Sequence, residues 1–209
     1  MRMLSYLMFF FVGICSAQNK TEKYYDDQFR KIPKDKFEYL LTKNGYRANQ
    51  YEIDGQISNI LYQTKTKGKL TEEEFKNVKL DLSKMKPLQD GLIVIVFYPG
   101  KDSCNETDSE SGWSIFDKDY QKELKKLKIT NSFWLFKDDE DLKYYHPKKI
   151  NWIKDNERLI EKTFFKMHYP CFSSVVIDEN GNYISNLGEF GKIDIINDIK
   201  ELKNKKASN

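Results

Sequence analysis

Gly91–Cys104 reads GLIVIVFYPGKDSC. Leu92 to Tyr98 is an unbroken apolar run rich in β-branched and aromatic side chains, with Gly91 before it and Pro99-Gly100 after it. The run is too short for a buried helix and predicts a central strand covered on both faces. A polar loop, Lys101 to Gly112, follows it and carries Cys104. In open α/β sheets, ligands bind in the crevice at the carboxyl ends of such strands.

Upstream, Thr71-Glu72-Glu73-Glu74 has the spacing of a capping box, in which the Thr71 hydroxyl accepts from the Glu74 amide and the Glu74 side chain reaches back. The helix it starts carries Phe75, Val78, Leu82 and Met85 at helical spacing and ends before Pro87. Between Tyr51 and Lys67, Ile53, Ile57, Ile60, Leu61 and Tyr62 suggest one or two strands broken near Asp54-Gly55. Pro33 opens a short amphipathic helix with Phe37, Leu40 and Leu41 on one face, and Gly45 closes it. Gln18 to Ile32 is polar and is expected to be poorly ordered.

Downstream, Ser114 and Asp117 are placed to cap a helix whose inner face is Phe116, Tyr120, Leu124 and Leu127. Ser132 to Phe136 reads as a strand, Asp138 to Lys149 as an irregular excursion, and Glu157 to Met167 as a helix stopped by Pro170. Ser173–Asp178 and Tyr183–Leu187 flank Asn180-Gly181, which predicts a two-residue hairpin turn with positive φ at both positions. A helix from Ile193 to Lys203, with Ile195, Ile199 and Leu202 on one face, closes the pattern.

The first 17 residues combine Arg2, an apolar run from Leu4 to Ile14, and Cys15-Ser16-Ala17 before Gln18. This is the pattern of a secretory signal cleaved after Ala17, and it is shorter than a membrane span. The competing reading, a lipoprotein signal acylated at Cys15, is disfavoured by the bulky Ile14. Export to the periplasm or the medium is therefore expected, with no transmembrane segment after cleavage. Loss of Arg2 leaves 34 basic and 32 acidic side chains, interleaved along the chain, so a nucleic-acid partner is not expected. His146 and His168 are the only histidines, which excludes a multi-histidine metal site; neither metal nor cofactor is expected. Scarce alanine beside abundant Lys, Asn, Ile, Tyr and Phe points to an AT-rich, bacterial genome.

From Tyr51 onward the order strand, helix, strand, helix, strand, helix, proline, hairpin, helix resembles the thioredoxin-like superfamily. Three markers carry the resemblance: Ile93-Val94-Ile95-Val96-Phe97-Tyr98 as the central strand, the cysteine-bearing loop after it, and Tyr169-Pro170 ahead of the hairpin. The resemblance implies a three-layer α/β/α fold with a mixed sheet, an antiparallel hairpin and a C-terminal helix. It divides the chain into a signal (1–17), an extension with a short helix (18–50) and a thioredoxin-like domain (51–209). It implies that Pro170 is a cis-proline. It also brings Cys104 and Cys171 to the same end of the sheet, where an oxidising compartment favours a disulfide.

The sequence departs from the family where catalysis would sit. Dithiol members carry two cysteines separated by two residues at a helix start, whereas Pro99 to Thr107 holds Cys104 alone. The acidic run Asp102, Glu106, Asp108, Glu110 would raise a thiol's pKa. Tyr98-Pro99 before a single cysteine is also similar to peroxiredoxins, but Lys101 stands where that family has threonine or serine. Three functions stay open. The first is an exported non-catalytic binding or structural module held by a Cys104–Cys171 disulfide, with an unidentified protein or small-molecule partner. The second is a thiol-disulfide oxidoreductase or thiol peroxidase using Cys104 and Cys171 as catalytic residues, with His168 modulating a thiol. The third is a non-redox enzyme or ligand carrier. Asp138-Asp139-Glu140-Asp141 lacks the alternating ligands of a calcium loop, and Phe133, Trp134, Phe136, Phe164 and Phe165 read as core.

Overall fold

The computed structural model describes residues 21–53 and 55–207; the signal-like segment and its cleavage site lie outside them. The apolar run forms β5 (Ile93–Tyr98), and all six of its residues are buried. It lies inside a six-stranded mixed sheet built also from β4 (Lys65–Lys69), β6 (Asn131–Phe136), β7 (Trp152–Lys154), β8 (Ser173–Ile177) and β9 (Asn182–Asn186). The strand order is β4-β9-β8-β5-β6-β7, with β6 parallel and β8 antiparallel to β5.

Alternation along β5 sends its residues to two cores. Ile93, Ile95 and Phe97 pack with Val78 and Leu82 of α2 (Glu72–Met85) and with Ile160 and Phe164 of α4 (Leu159–Phe164). Val94, Val96 and Tyr98 pack with Tyr120 and Leu124 of α3 (Lys118–Lys126) and with Ile195, Ile199 and Leu202 of α5 (Lys192–Ala207). Helices therefore cover both faces, as the expected α/β class requires, and the β8–β9 hairpin is antiparallel. No helix among the described residues is long and apolar enough to cross a membrane.

Local rules account for several boundaries. Both bonds of the capping box form: the Glu74 amide donates to Thr71 Oγ1 at 3.2 Å and the Thr71 amide to Glu74 Oε2 at 2.8 Å. Ser114 and Asp117 behave differently from expectation. Ser114–Phe116 is a separate 3₁₀ turn, and neither side chain caps α3. Instead Ser114 Oγ accepts from the Lys192 amide at 3.3 Å and Asp117 from Lys192 Nζ at 2.9 Å, so both serve the start of α5. In the hairpin turn only Gly181 has positive φ (78°), and the Asp178 amide pairs with the Asn182 carbonyl. The loop is therefore three residues, Glu179–Gly181, with glycine at the left-handed position. Asp178 Oδ1 selects it by accepting from the amides of Asn180 and Asn182.

A second, three-stranded sheet precedes the large one: β1 (Glu22–Tyr25), β2 (Tyr46–Ile53) and β3 (Gln56–Gln63), in the order β1-β3-β2. The unit boundary expected at residue 51 falls inside β2. The segment before Ile32 is not unstructured: β1 pairs parallel with β3 over residues 22–25. Tyr24 packs edge-on against Phe37 of α1 (Lys34–Leu41), with ring centroids 5.0 Å apart. Asp26 ties the following turn by accepting from the Gln28 and Arg30 amides. No peptide bond among the described residues is cis, so Tyr169–Pro170 is trans and Pro170 does not take the expected cis-proline role. The chain reverses instead at Cys171, whose φ is 69°, a left-handed conformation that a non-glycine residue holds only when its surroundings fix it.

Candidate functional site

What fixes Cys171 is Asp102. The four-residue chain from Lys101 to Cys104 leaves β5 through Pro99-Gly100 and folds back, so that the Asp102 carboxylate faces inward. Its Oδ1 accepts from the Cys104 amide at 2.8 Å and the Asn105 amide at 2.9 Å. Its Oδ2 accepts from the Cys171 amide at 2.9 Å and lies 2.8 Å from His168 Nε2. One carboxylate thus ties the loop after β5 to the turn before β8. Burial pushes this carboxyl upward, but the bonds from His168 and from the Asn105, Cys104 and Cys171 amides outweigh it and hold it below the usual carboxylate range.

Cys104 and Cys171, 67 residues apart in sequence, meet across this node as a disulfide with Cα atoms 5.1 Å apart. Residue Cys104 is exposed and residue Cys171 is buried. His168 comes to the same place, although its ring engages Asp102 and not a sulfur.

Residues without a sequence signal complete the site. Asn105 is buried and donates from Nδ2 to the carbonyls of Gly100 (2.8 Å) and Cys171 (3.1 Å), a second bridge parallel to Asp102. The Asn105 amide is thus committed to the backbone, although Asn105-Glu106-Thr107 matches the glycosylation triplet. The Tyr145 hydroxyl donates to the Asn105 carbonyl. Burial, with the charges of Asp102 and Asp141, pushes the Tyr145 phenol up to about 12, so it stays a neutral donor at ordinary pH. From the small sheet, Asn49 Nδ2 (2.6 Å) and the Tyr51 hydroxyl (2.9 Å) both donate to the His168 carbonyl. Tyr62 of β3 packs edge-on against Tyr169, 5.1 Å between centroids.

Beside the disulfide opens a cleft of about 320 Å³, walled by Trp113, Tyr145 and Phe172 and flanked by Glu106 and Glu189. Among the described residues no three histidine, cysteine or carboxylate side chains group as metal ligands. The acidic stretch at 138–141 instead meets Lys101, whose Nζ lies 3.1 Å from Asp141 and 3.7 Å from Glu140. Comparison of the chain with protein-family models, curated proteins and solved structures finds no match.

Proposed function

We propose that this chain is an exported thioredoxin-like binding module in which the Cys104–Cys171 disulfide acts as a staple and the adjoining cleft receives a partner. The thioredoxin-like part is supported by the order from β5 onward: strand, helix, parallel strand, helix, antiparallel hairpin and helix, with the short parallel edge strand β7 added before α4 and the disulfide at the carboxyl end of the central strand. Export is supported by the residue pattern before Gln18 and agrees with a disulfide.

The observation that carries the staple reading is the shared Asp102 carboxylate. It accepts amides from both flanks of the disulfide, and its charge disfavours a thiolate at either cysteine. The features that lower thiol pKa values are turned elsewhere. The next α-helix begins at Lys118, and the nearby cation, Lys101, is directed at Glu106, Glu140 and Asp141. Non-reducing peptide mapping and thiol titration of the purified protein test this. A Cys104–Cys171 peptide, no free thiol and no turnover with a dithiol reductant are expected; a reactive low-pKa thiol or sustained turnover would overturn the reading.

One observation favours a second reading, that of a thiol-disulfide oxidoreductase. Cys104 is exposed at the cleft while Cys171 is buried, and His168 sits on the carboxylate between them. In that chemistry the reduced Cys104 thiolate attacks a substrate disulfide and releases one thiol. Cys171 then displaces the second thiol and reforms the protein disulfide, and an external dithiol returns two electrons and two protons. The same turnover assay separates the two readings.

A further inference from the structure

On the other flank of the large sheet, β7 pairs with β6 only from Trp134 onward, so the first half of β6 has no strand neighbour on its outer edge among the described residues. A cavity of about 320 Å³ occupies this gap, between β6, the start of α3 and the segment 146–153. Its size lies at the small end of ligand pockets. Phe116, Phe133 and Trp134 are part of its apolar lining, with Phe116 stacked on Trp134 at 5.5 Å between centroids.

Its polar groups are mostly of one sign. Lys86, Lys118 and Lys149 line it, against a single acid, Asp117. Asp117 is already paired with Lys192 Nζ at 2.9 Å, whereas Lys118 and Lys149 form no ion pair among the described residues. Lys86 Nζ donates to the Thr130 carbonyl and sits 5.7 Å from the Phe133 ring centroid, its charge held at the aromatic wall. His146 adds a polar atom in need of a partner. Its Nε2 lies 2.7 Å from the Ser111 carbonyl, an acceptor, so the proton is on Nε2. That leaves Nδ1 buried with no hydrogen-bond partner, the Glu110 carboxylate standing off at 3.6 Å. Unprotonated, Nδ1 is an acceptor, completed by a water or a ligand N–H or O–H and not by the anionic group itself.

We propose that this cavity binds a small aromatic anion, its ring lying against the apolar lining that includes Phe116 and Trp134 and its charge toward Lys118 and Lys149. Apolar walls alone would take any flat ring; the surplus of ammonium groups selects a negative one. The site is separate from the disulfide cleft, so it stands or falls independently of the staple.

Titration of the full chain with 1-naphthoate, followed by tryptophan fluorescence and calorimetry and set against neutral 1-naphthamide, tests the proposal. One naphthoate per chain is expected, at least about tenfold tighter than the amide and weakened by salt. The Lys118→Glu/Lys149→Glu double variant should lose about tenfold for naphthoate while its amide affinity stays within about twofold. Lys122→Glu, on α3 but outside the cavity, should change neither. Both lysines are exposed, so unchanged melting is expected for these variants and keeps the comparison interpretable. Equal affinities for the two ligands, naphthoate binding untouched by the double variant, or no saturable binding of either would each overturn the assignment.

Discussion

In the six-stranded sheet every residue of β5 is buried and each face of the strand meets a helical layer. In the three-stranded sheet β2 buries only Asn49 among its described side chains, and the core reduces to Ile32, Phe37 and Leu61. The first sheet is held by apolar area. The second has too small a core of its own to be held that way, and joins the first through Tyr62, which packs into the large sheet's core, and through the Asn49 and Tyr51 bonds to the His168 carbonyl. Those bonds land on the segment that carries Pro170 and Cys171. The contrast suggests that the large sheet builds the fold and the small one braces the turn at which the disulfide forms.

The sharpest way to break the contrast is at the covalent link inside the large sheet's domain. In the chain-entropy model a cross-link spanning 67 residues is worth about 4 kcal/mol. Cys104→Ser and Cys171→Ser should lose similar stability in denaturant titrations, and the double variant no more than either. Next in size, Val94→Ala should cost about 2–3 kcal/mol, because a fully buried strand leaves a cavity that cannot collapse. Leu92→Ala should cost less, since Leu92 precedes the strand and is only half-buried. Phe37→Ala should instead release the small sheet locally: amide exchange should quicken in β2 and β3 while β5 still exchanges through global unfolding. Equal acceleration in both sheets would show one cooperative unit.

Asp102 gives a pH test of the node. Its carboxyl is held below the usual range when folded, so its contribution is fully present above the unfolded value of about 3.9 and is lost as pH falls through the lower folded one. Stability should therefore drop more steeply below about pH 4 in the native chain than in Asp102→Asn. That variant should already be weaker by about 1–3 kcal/mol at neutral pH, because an amide cannot accept on both sides. Superimposable acid profiles would show that the node carries no charge-linked stability.

The same contrast explains what was legible in the sequence. The buried run 93–98, the Thr71–Glu74 box and the Ile195, Ile199, Leu202 face follow local rules of period and capping, and all three are where the sequence puts them. The disulfide followed from the order of elements. The small sheet was hard to read because β2, YRANQYEI, shows no apolar alternation, and β7 is three residues long. The role of Asp102 was hidden for a different reason. In sequence it is one member of an acidic run, and only the return of residues 168–171 gives it donors to accept from. Pro170 was misread because the reversal depends on the φ of its neighbour, which tertiary bonds impose.

The smallest expected effect bears most directly on the bracing role. Asn49→Ala removes one of two donors to the His168 carbonyl, while the Tyr51 hydroxyl remains. A single net hydrogen bond is worth about 1 kcal/mol, so the denaturation midpoint should move little. Asn49→Ala with Tyr51→Phe strips both donors and leaves the carbonyl to water or to nothing, and its effect should exceed that of either single change. The informative readout is local. If the small sheet braces the turn, the double variant should let a dithiol reductant open the Cys104–Cys171 bond faster and should quicken exchange of the Cys171 amide, whose acceptor is Asp102. Val94→Ala, matched to the same global loss by mild denaturant, controls for general loosening. If the double variant and that control open the disulfide at the same rate, the contact between the sheets is mere packing and the brace is wrong.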